Sequence, residues 1–255
     1  MIPLHPDFLR LPIAHRALHD RAAGRVENSR AAVQAAVDAG YGIEIDLQLS
    51  SDDQAMVFHD DTLERLTQAT GPVSARSAAE LGGLLLKDAD DGIPTLSQVL
   101  AIVAGRVPLL IEIKDQSRMM SETNGRLEAA MVAALTTYDG PVAVMSFNPH
   151  AVAHVARLAP HLPVGLTTCS FDPADWKIPE DISDRLRDIP DAEALGVSFL
   201  SHHWRDLSRP RVQALRDAGL ALLTWTIRSP EEEAAARADG AQNITFEGYA
   251  AAIAA

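Results

Sequence analysis

Two short motifs place charged side chains inside apolar runs. Glu44-Ile45-Asp46 lies within 41–49, and Glu112-Ile113-Lys114 lies within 107–114. Side chains alternate faces along a strand, so Glu44 shares a face with Asp46 and Glu112 shares one with Lys114. Carboxylates in apolar surroundings are costly unless cations or protons compensate them. One answer is a bound divalent metal, which points to hydrolytic or lyase chemistry; the other is ion pairing of Glu44 and Asp46 with Lys114 and Arg16. Carboxylate oxygens are hard ligands, so Glu44, Asp46 and Glu112 suit Mg²⁺ or Ca²⁺ better than Zn²⁺. His15 and His59 can divide acid and base roles, because imidazole titrates near neutral pH. Arg16 and Lys114 supply positive charge for an anion. Together the set fits a phosphate ester.

The elements that must position these groups alternate along the chain. Strands are expected at 11–15, 41–49, 55–59, 107–114, 141–147, 164–169, 196–200, 220–227 and 242–246. Helices fit at 29–39, 77–85, 95–104, 126–138, 149–158, 209–218 and 230–238. The turn at 50–54 is too short for a crossover helix, so 41–49 and 55–59 form an antiparallel hairpin. Counting 55–59 as a return arm leaves eight strands in βα order, the number that closes a (β/α)8 TIM barrel. An open doubly wound sheet is the alternative. The hairpin sets Asp46 opposite about residue 59, with Met56 and Phe58 joining Ile45 and Leu47 on the other face. In a closed barrel the reactive groups gather where the strands end at their carboxyl side. His15, Glu44, Asp46, Glu112 and Lys114 all fall there, and His59 returns over the same mouth. Trp225, inside 220–227, is either core packing or a substrate platform. His202-His203-Trp204 reads as a surface loop beyond a strand.

With 255 residues and 47% apolar content, one domain over 1–255 can bury a large core. The formal charge of −13 argues against nucleic-acid binding, which needs clustered Lys and Arg. Cys169 is the single cysteine, so an internal disulfide is excluded and a reducing compartment fits. No signal-like start and no run of membrane-spanning length stand out, so the expected setting is cytoplasmic, without a membrane partner.

Set beside known families, the chain resembles the glycerophosphodiester phosphodiesterase family. The match runs through His15-Arg16, Glu27-Asn28-Ser29, Glu44-Ile45-Asp46 and His59-Asp60 with Leu63 and Arg65. It continues through Ile93-Pro94-Thr95-Leu96, Glu112-Ile113-Lys114, Ser146-Phe147 and Trp225-Thr226. The resemblance implies an eight-stranded βα barrel with a short insertion, here at about 62–92. It implies hydrolysis of glycerophosphodiesters to glycerol 3-phosphate and an alcohol, with Mg²⁺ or Ca²⁺ (or Mn²⁺) as cofactor. By the same resemblance Glu44, Asp46 and Glu112 are metal ligands and His15 and His59 the acid/base pair. Arg16 and Lys114 hold phosphate, and Trp225 is placed with the substrate. The implied route is attack by the neighbouring glycerol hydroxyl, then opening of a cyclic phosphate by water. A phospholipase D-like or cyclising enzyme acting on lysolipids is one alternative, and a catalytically silent ligand-binding barrel is another. Three positions depart from the pattern. Ala17 replaces a glycine, Ser29 replaces a threonine, and Thr245-Phe246 stands for Thr-Asp, which predicts a less polar rim after the last strand.

Overall fold

The computed structural model describes residues 2–253, which form nine strands and ten α-helices. The strands are β1 (Ile13–Ala14), β2 (Gly42–Leu49), β3 (Ala55–Val57), β4 (Leu109–Ile113) and β5 (Val142–Ser146), then β6 (Val164–Thr168), β7 (Phe199–His203), β8 (Ala221–Ile227) and β9 (Asn243–Phe246). The helices are α1 (Asp7–Arg10), α2 (Arg30–Ala39), α3 (Ala78–Gly83), α4 (Leu96–Val103) and α5 (Arg126–Leu135), followed by α6 (Pro149–Leu158), α7 (Glu180–Arg187), α8 (Asp191–Ala194), α9 (Pro210–Asp217) and α10 (Pro230–Ala238). Eight strands pair in parallel, and β1 bonds to both β2 and β9, which closes the sheet on itself. Only β3 runs antiparallel, as the return arm of β2. The result is the (β/α)8 barrel expected from the sequence.

Local chemistry sets both ends of α2. In α2 the Ser29 hydroxyl accepts from the Ala32 N–H, and Gly40 takes φ 76° to stop the helix. Its buried stripe of Ala32, Val33, Ala36 and Val37 packs in one core with Ile43, Ile45 and Leu47 of β2. The barrel interior has a different character at its two ends. Phe8, Ile13, Leu110, Phe199 and Leu223 fill the lower part. A Cβ on Gly165 would meet the Phe199 ring at 2.4 Å, so the missing side chain makes room for that ring. Upward along β4 the inward side chains change from Leu110 to Glu112 and then to Lys114, just beyond the strand. Adjacent β2 offers Glu44 and Asp46, with Asp46 in register with Glu112.

Two expectations are corrected here. The hairpin pairs Leu47 with Val57 and Leu49 with Ala55, so Phe58 rather than His59 lies opposite Asp46, and the Phe58 N–H donates to the Asp46 carbonyl. A one-residue slip exchanges faces along a strand. Val57 therefore joins Ile45 and Leu47 in the main core, while Met56 and Phe58 pack with Val26, Leu63, Leu81 and Ile93 under the 62–92 segment. Likewise His202 and His203 belong to β7, and His202 is fully buried, with Nδ1 2.7 Å from the Thr168 hydroxyl. The strand extends three residues past the expected end because parallel pairing with Thr224 and Trp225 of β8 carries it on. Helices α1, α7 and α8 were not anticipated; α1 and α8 are single turns, and the α7 segment offers only Ile182 and Leu186 as an apolar stripe.

Asn243 ties the base together, its Nδ2 donating to the carbonyls of Phe8 (2.8 Å) and Leu11 (2.6 Å). Asn243→Ala leaves both carbonyls buried without that donor. The expected loss is about 1–3 kcal/mol of folding free energy, read from the urea midpoint.

Candidate active site

All eight residues singled out by sequence line one cavity of about 190 Å³ at the carboxyl end of the barrel. At about 30 Å³ per water this leaves space for a phosphoryl group. A larger groove of about 350 Å³, between α5 and α6, is lined by Leu135, Tyr138 and Leu162 and gathers no comparable set of charged groups.

The acids lie at the floor. Glu44, Asp46 and Glu112 are 2%, 1% and 5% exposed, and one oxygen from each lies within 4.8 Å of the others. The Lys114 ammonium sits 2.6 Å from Asp46 Oδ1 and also contacts Glu112. Asn28 Nδ2 donates to Asp46 Oδ2 at 2.8 Å. Glu44 receives only the Arg16 backbone N–H, at 2.8 Å. Burial, then the neighbouring Asp46 and Glu112 carboxylates, push the Glu44 pKa well above its ordinary value. Burial acts on Asp46 in the same sense, but Lys114, His59 and Arg16 overcome it and hold its carboxyl well below the usual range. Burial works to lower the Lys114 pKa, but Asp46 and Glu112 outweigh it and raise it. One ammonium is thus shared by two carboxylates, and among the described residues Glu44 has no salt-bridge partner. A cation 2.0–2.6 Å from each ligand oxygen holds those oxygens within about 5 Å of one another. The spacing and the surplus negative charge fit a hard divalent ion.

The turn after β1 carries the first histidine. Arg16 and Ala17 adopt φ 52° and 65°, the left-handed region that ordinarily favours glycine. Ala17 therefore keeps the conformation its glycine counterpart would take, held by its N–H donating to the Glu44 carbonyl. This turn aims the Arg16 N–H at Glu44, and its guanidinium reaches Glu27 at 2.8 Å and Asp46 at 3.8 Å. Asn28, also left-handed, donates its N–H to the Arg16 carbonyl and braces the turn from outside.

A sequence model of the glycerophosphoryl diester phosphodiesterase family matches residues 15–246, from the first of these histidines to the end of β9. The chain belongs to this family. A glycerophosphodiester phosphodiesterase of Caldanaerobacter subterraneus subsp. tengcongensis is 32% identical over 87% of each chain. A probable glycerophosphodiester phosphodiesterase 1 of Mycobacterium tuberculosis is 30% identical over 86% of this chain and 82% of that one. A phosphodiesterase of Oleispira antarctica, solved with the product sn-glycerol-3-phosphate, is 26% identical with a TM-score of 0.75 over 94% of each chain. Membership makes the protein an enzyme of this phosphodiesterase class.

Within this family framework the structure adds residues that the sequence left without a role. His15 Nδ1 is 2.6 Å from Glu247 Oε2, and His59 Nδ1 is 2.7 Å from Asp60 Oδ1. A carboxylate can only accept, so Nδ1 carries the hydrogen in each ring and Nε2 is left for the cavity. Arg228 fixes Glu247 at 2.8 Å, and Arg65 fixes Asp60 at 2.6 Å while also binding Glu27. Glu247 corrects the expectation of a less polar rim. Phe246 is buried against Tyr41 and Tyr249, and the carboxylate that faces His15 comes one residue later. A bulge in the β8–β9 pairing between Thr224 and Ile227 accompanies this shift. Trp225 and Phe147 line the same cavity, so Trp225 faces the site and is not core.

Burial lowers the His15 pKa, and the hydrogen bond and charge of Glu247 partly restore it. Removing that charge removes a stabiliser of the protonated ring. In Glu247→Gln the His15 ring should titrate at lower pH than in the wild type, followed by imidazole NMR. An unchanged or higher midpoint would show that Glu247 does not tune His15.

Proposed function

We propose that this chain hydrolyses glycerophosphodiesters to glycerol 3-phosphate and an alcohol. The observation that carries the reading is the pairing of two histidines, each fixed by its own carboxylate, across one cavity from three clustered acids and two cations. The named relatives support the substrate class. No helix among the described residues is long and apolar enough to cross a membrane, which accords with a small-molecule diester as substrate.

In this reading Glu44, Asp46 and Glu112 hold a divalent ion, with Mg²⁺ or Ca²⁺ favoured by an all-oxygen donor set and Mn²⁺ compatible with it. When bound, the ion supplies Lewis-acid stabilisation of charge on the phosphoryl oxygens. Arg16 and Lys114 add fixed positive charge beside those oxygens. One histidine, neutral at Nε2, takes the proton of the glycerol hydroxyl next to the ester as that oxygen attacks phosphorus. The other histidine, protonated, delivers its proton to the departing alcohol. The two rings are then in reversed protonation states. Water opens the resulting cyclic phosphate by the same two transfers run the other way. Glu247 and Asp60 act through the rings, fixing their tautomers and stabilising the imidazolium form as it appears.

His15→Ala and His59→Ala should each reduce turnover at least about 100-fold, the lower end of what a positioned acid or base contributes, while ion binding stays close to wild type. Retained turnover in either variant would remove that histidine from the mechanism. Glu112→Gln should weaken Mg²⁺ or Ca²⁺ binding in calorimetry by tenfold or more, since a buried charged ligand is lost. An unchanged affinity would reject its place among the ligands. A panel of glycerophosphodiesters, assayed for glycerol 3-phosphate with and without chelator, tests the reaction itself.

A further inference from the structure

The cavity has one wall that the proposed chemistry leaves unused, and it is aromatic. Phe147, just beyond β5, packs edge-on against Trp225 of β8, with centroids 5.4 Å apart. Trp176 packs at 5.0 Å against the other side of Phe147. Behind them Phe171 is fully buried, 5.0 Å from Trp176, so the outer indole has a rigid backing. Trp225 is pinned by its Nε1–H, which donates to the Ser201 carbonyl at 2.9 Å. Trp176 is set by a turn in which its N–H donates to the Asp172 carbonyl. Phe147 and Trp225 line the cavity, and Trp176, part-exposed like them, extends the aromatic surface from Phe147.

A diester has two arms, and the wall discriminates between them. The glycerol arm carries hydroxyls that need hydrogen-bond partners. The wall offers ring faces, and the Trp225 N–H is already engaged by the Ser201 carbonyl. The alcohol arm therefore suits this side. The charge around it is also specific. Residues 170–184 contain five acids, Asp172, Asp175, Glu180, Asp181 and Asp184, against the single Lys177. Among the neighbouring arginines, Arg187 pairs with Asp184, Arg228 pairs with Glu247, and Arg205 lies over the Trp204 ring. An aromatic face attracts a cation, and the acidic segment that carries Trp176 adds to that preference. It favours one kind of cation in particular. A primary ammonium would turn three N–H donors toward ring faces that accept them only weakly, whereas a trimethylated nitrogen has none and adds apolar area.

Resting on the hydrolase reading above, we propose that Phe147, Trp176 and Trp225 form the subsite for the alcohol headgroup and select a quaternary ammonium group, as in glycerophosphocholine. The decisive comparison is kcat/KM for glycerophosphocholine against glycerophosphoethanolamine, which differ only in three methyl groups. The wild type should prefer the choline ester by about tenfold, the scale expected of a cation held over indole faces. Trp176→Leu keeps apolar bulk without the π face, and should cut that ratio by about fivefold or more. A wild-type ratio near one, with both esters turned over, would overturn the subsite and leave the hydrolase reading standing. Equal losses on both esters in Trp176→Leu would also overturn it. If neither ester is turned over with Mg²⁺, Mn²⁺ or Ca²⁺, the hydrolase reading falls, and the subsite is decided separately by NMR. Tetramethylammonium should then shift the Trp176 indole N–H while ammonium does not, and equal responses to the two ions would reject it.

Discussion

Glu44, Asp46 and Glu112 stand side by side at the top of β2 and β4 with a single lysine between them, and that unbalanced charge conditions everything near it. Fully desolvated carboxylates repel one another strongly at this spacing. The protein tolerates them because the sheet leaves little freedom to move apart: Asp46 and Glu112 are in register on neighbouring parallel strands. Asn28, Lys114 and the Arg16 N–H then take up specific oxygens, so each acid is oriented as well as confined. A barrel interior that was apolar to its top would be more stable. Retaining three acids there is the mark of a site built to receive positive charge.

The surrounding loops respond to the same constraint. Arg16, Ala17 and Asn28 all hold left-handed backbone conformations, at a cost on the order of 1 kcal/mol each for non-glycine residues. Their reward is geometric: one turn delivers a backbone donor to Glu44, a guanidinium to Asp46 and an imidazole to the rim. The second histidine arrives differently. It lies beyond the end of β3, so its direction is set by Asp60, and Arg65 anchors that acid through a network shared with Glu27. Two unrelated pieces of backbone thus present the same pair of groups, a histidine with a carboxylate on Nδ1.

Much of this was legible from residue order. Periodicity and helix caps located most elements, and the hairpin identified β3 as the strand that does not count toward closure. The cluster of His15, Arg16, Glu44, Asp46, His59, Glu112, Lys114 and Trp225 also followed, because strand ends in a closed barrel have one place to go. What failed was any inference finer than one residue. The hairpin register was off by a single step, which moved Met56 and Phe58 to the opposite face. The rim after β9 was expected to be less polar because of Phe246, yet Glu247, one residue later, meets His15. Turn geometry and bulges depend on hydrogen bonds among distant segments, and a linear pattern does not record them. The aromatic wall was illegible for a related reason. Its members come from β8 and from the segments following β5 and β6, and nothing in their spacing links them.

The division of labour within the cavity follows from where each part comes from. Charged groups that must be placed to within a fraction of an ångström stand on strands or are braced directly against them, where the closed sheet fixes position. The aromatic side is different: Trp225 is on a strand, but Phe147 and Trp176 lie beyond strand ends, and Trp176 depends on an acidic segment without regular structure. Loops of this kind accept substitution more readily than the sheet does. A change in headgroup preference would therefore be confined to residues near 147 and 170–184, without disturbing the acids, the histidines or the cations. Under the proposed subsite, the chemistry would belong to the barrel and the choice of alcohol to its rim, because precise electrostatics require rigidity and selectivity for an apolar cation requires only a well-backed surface.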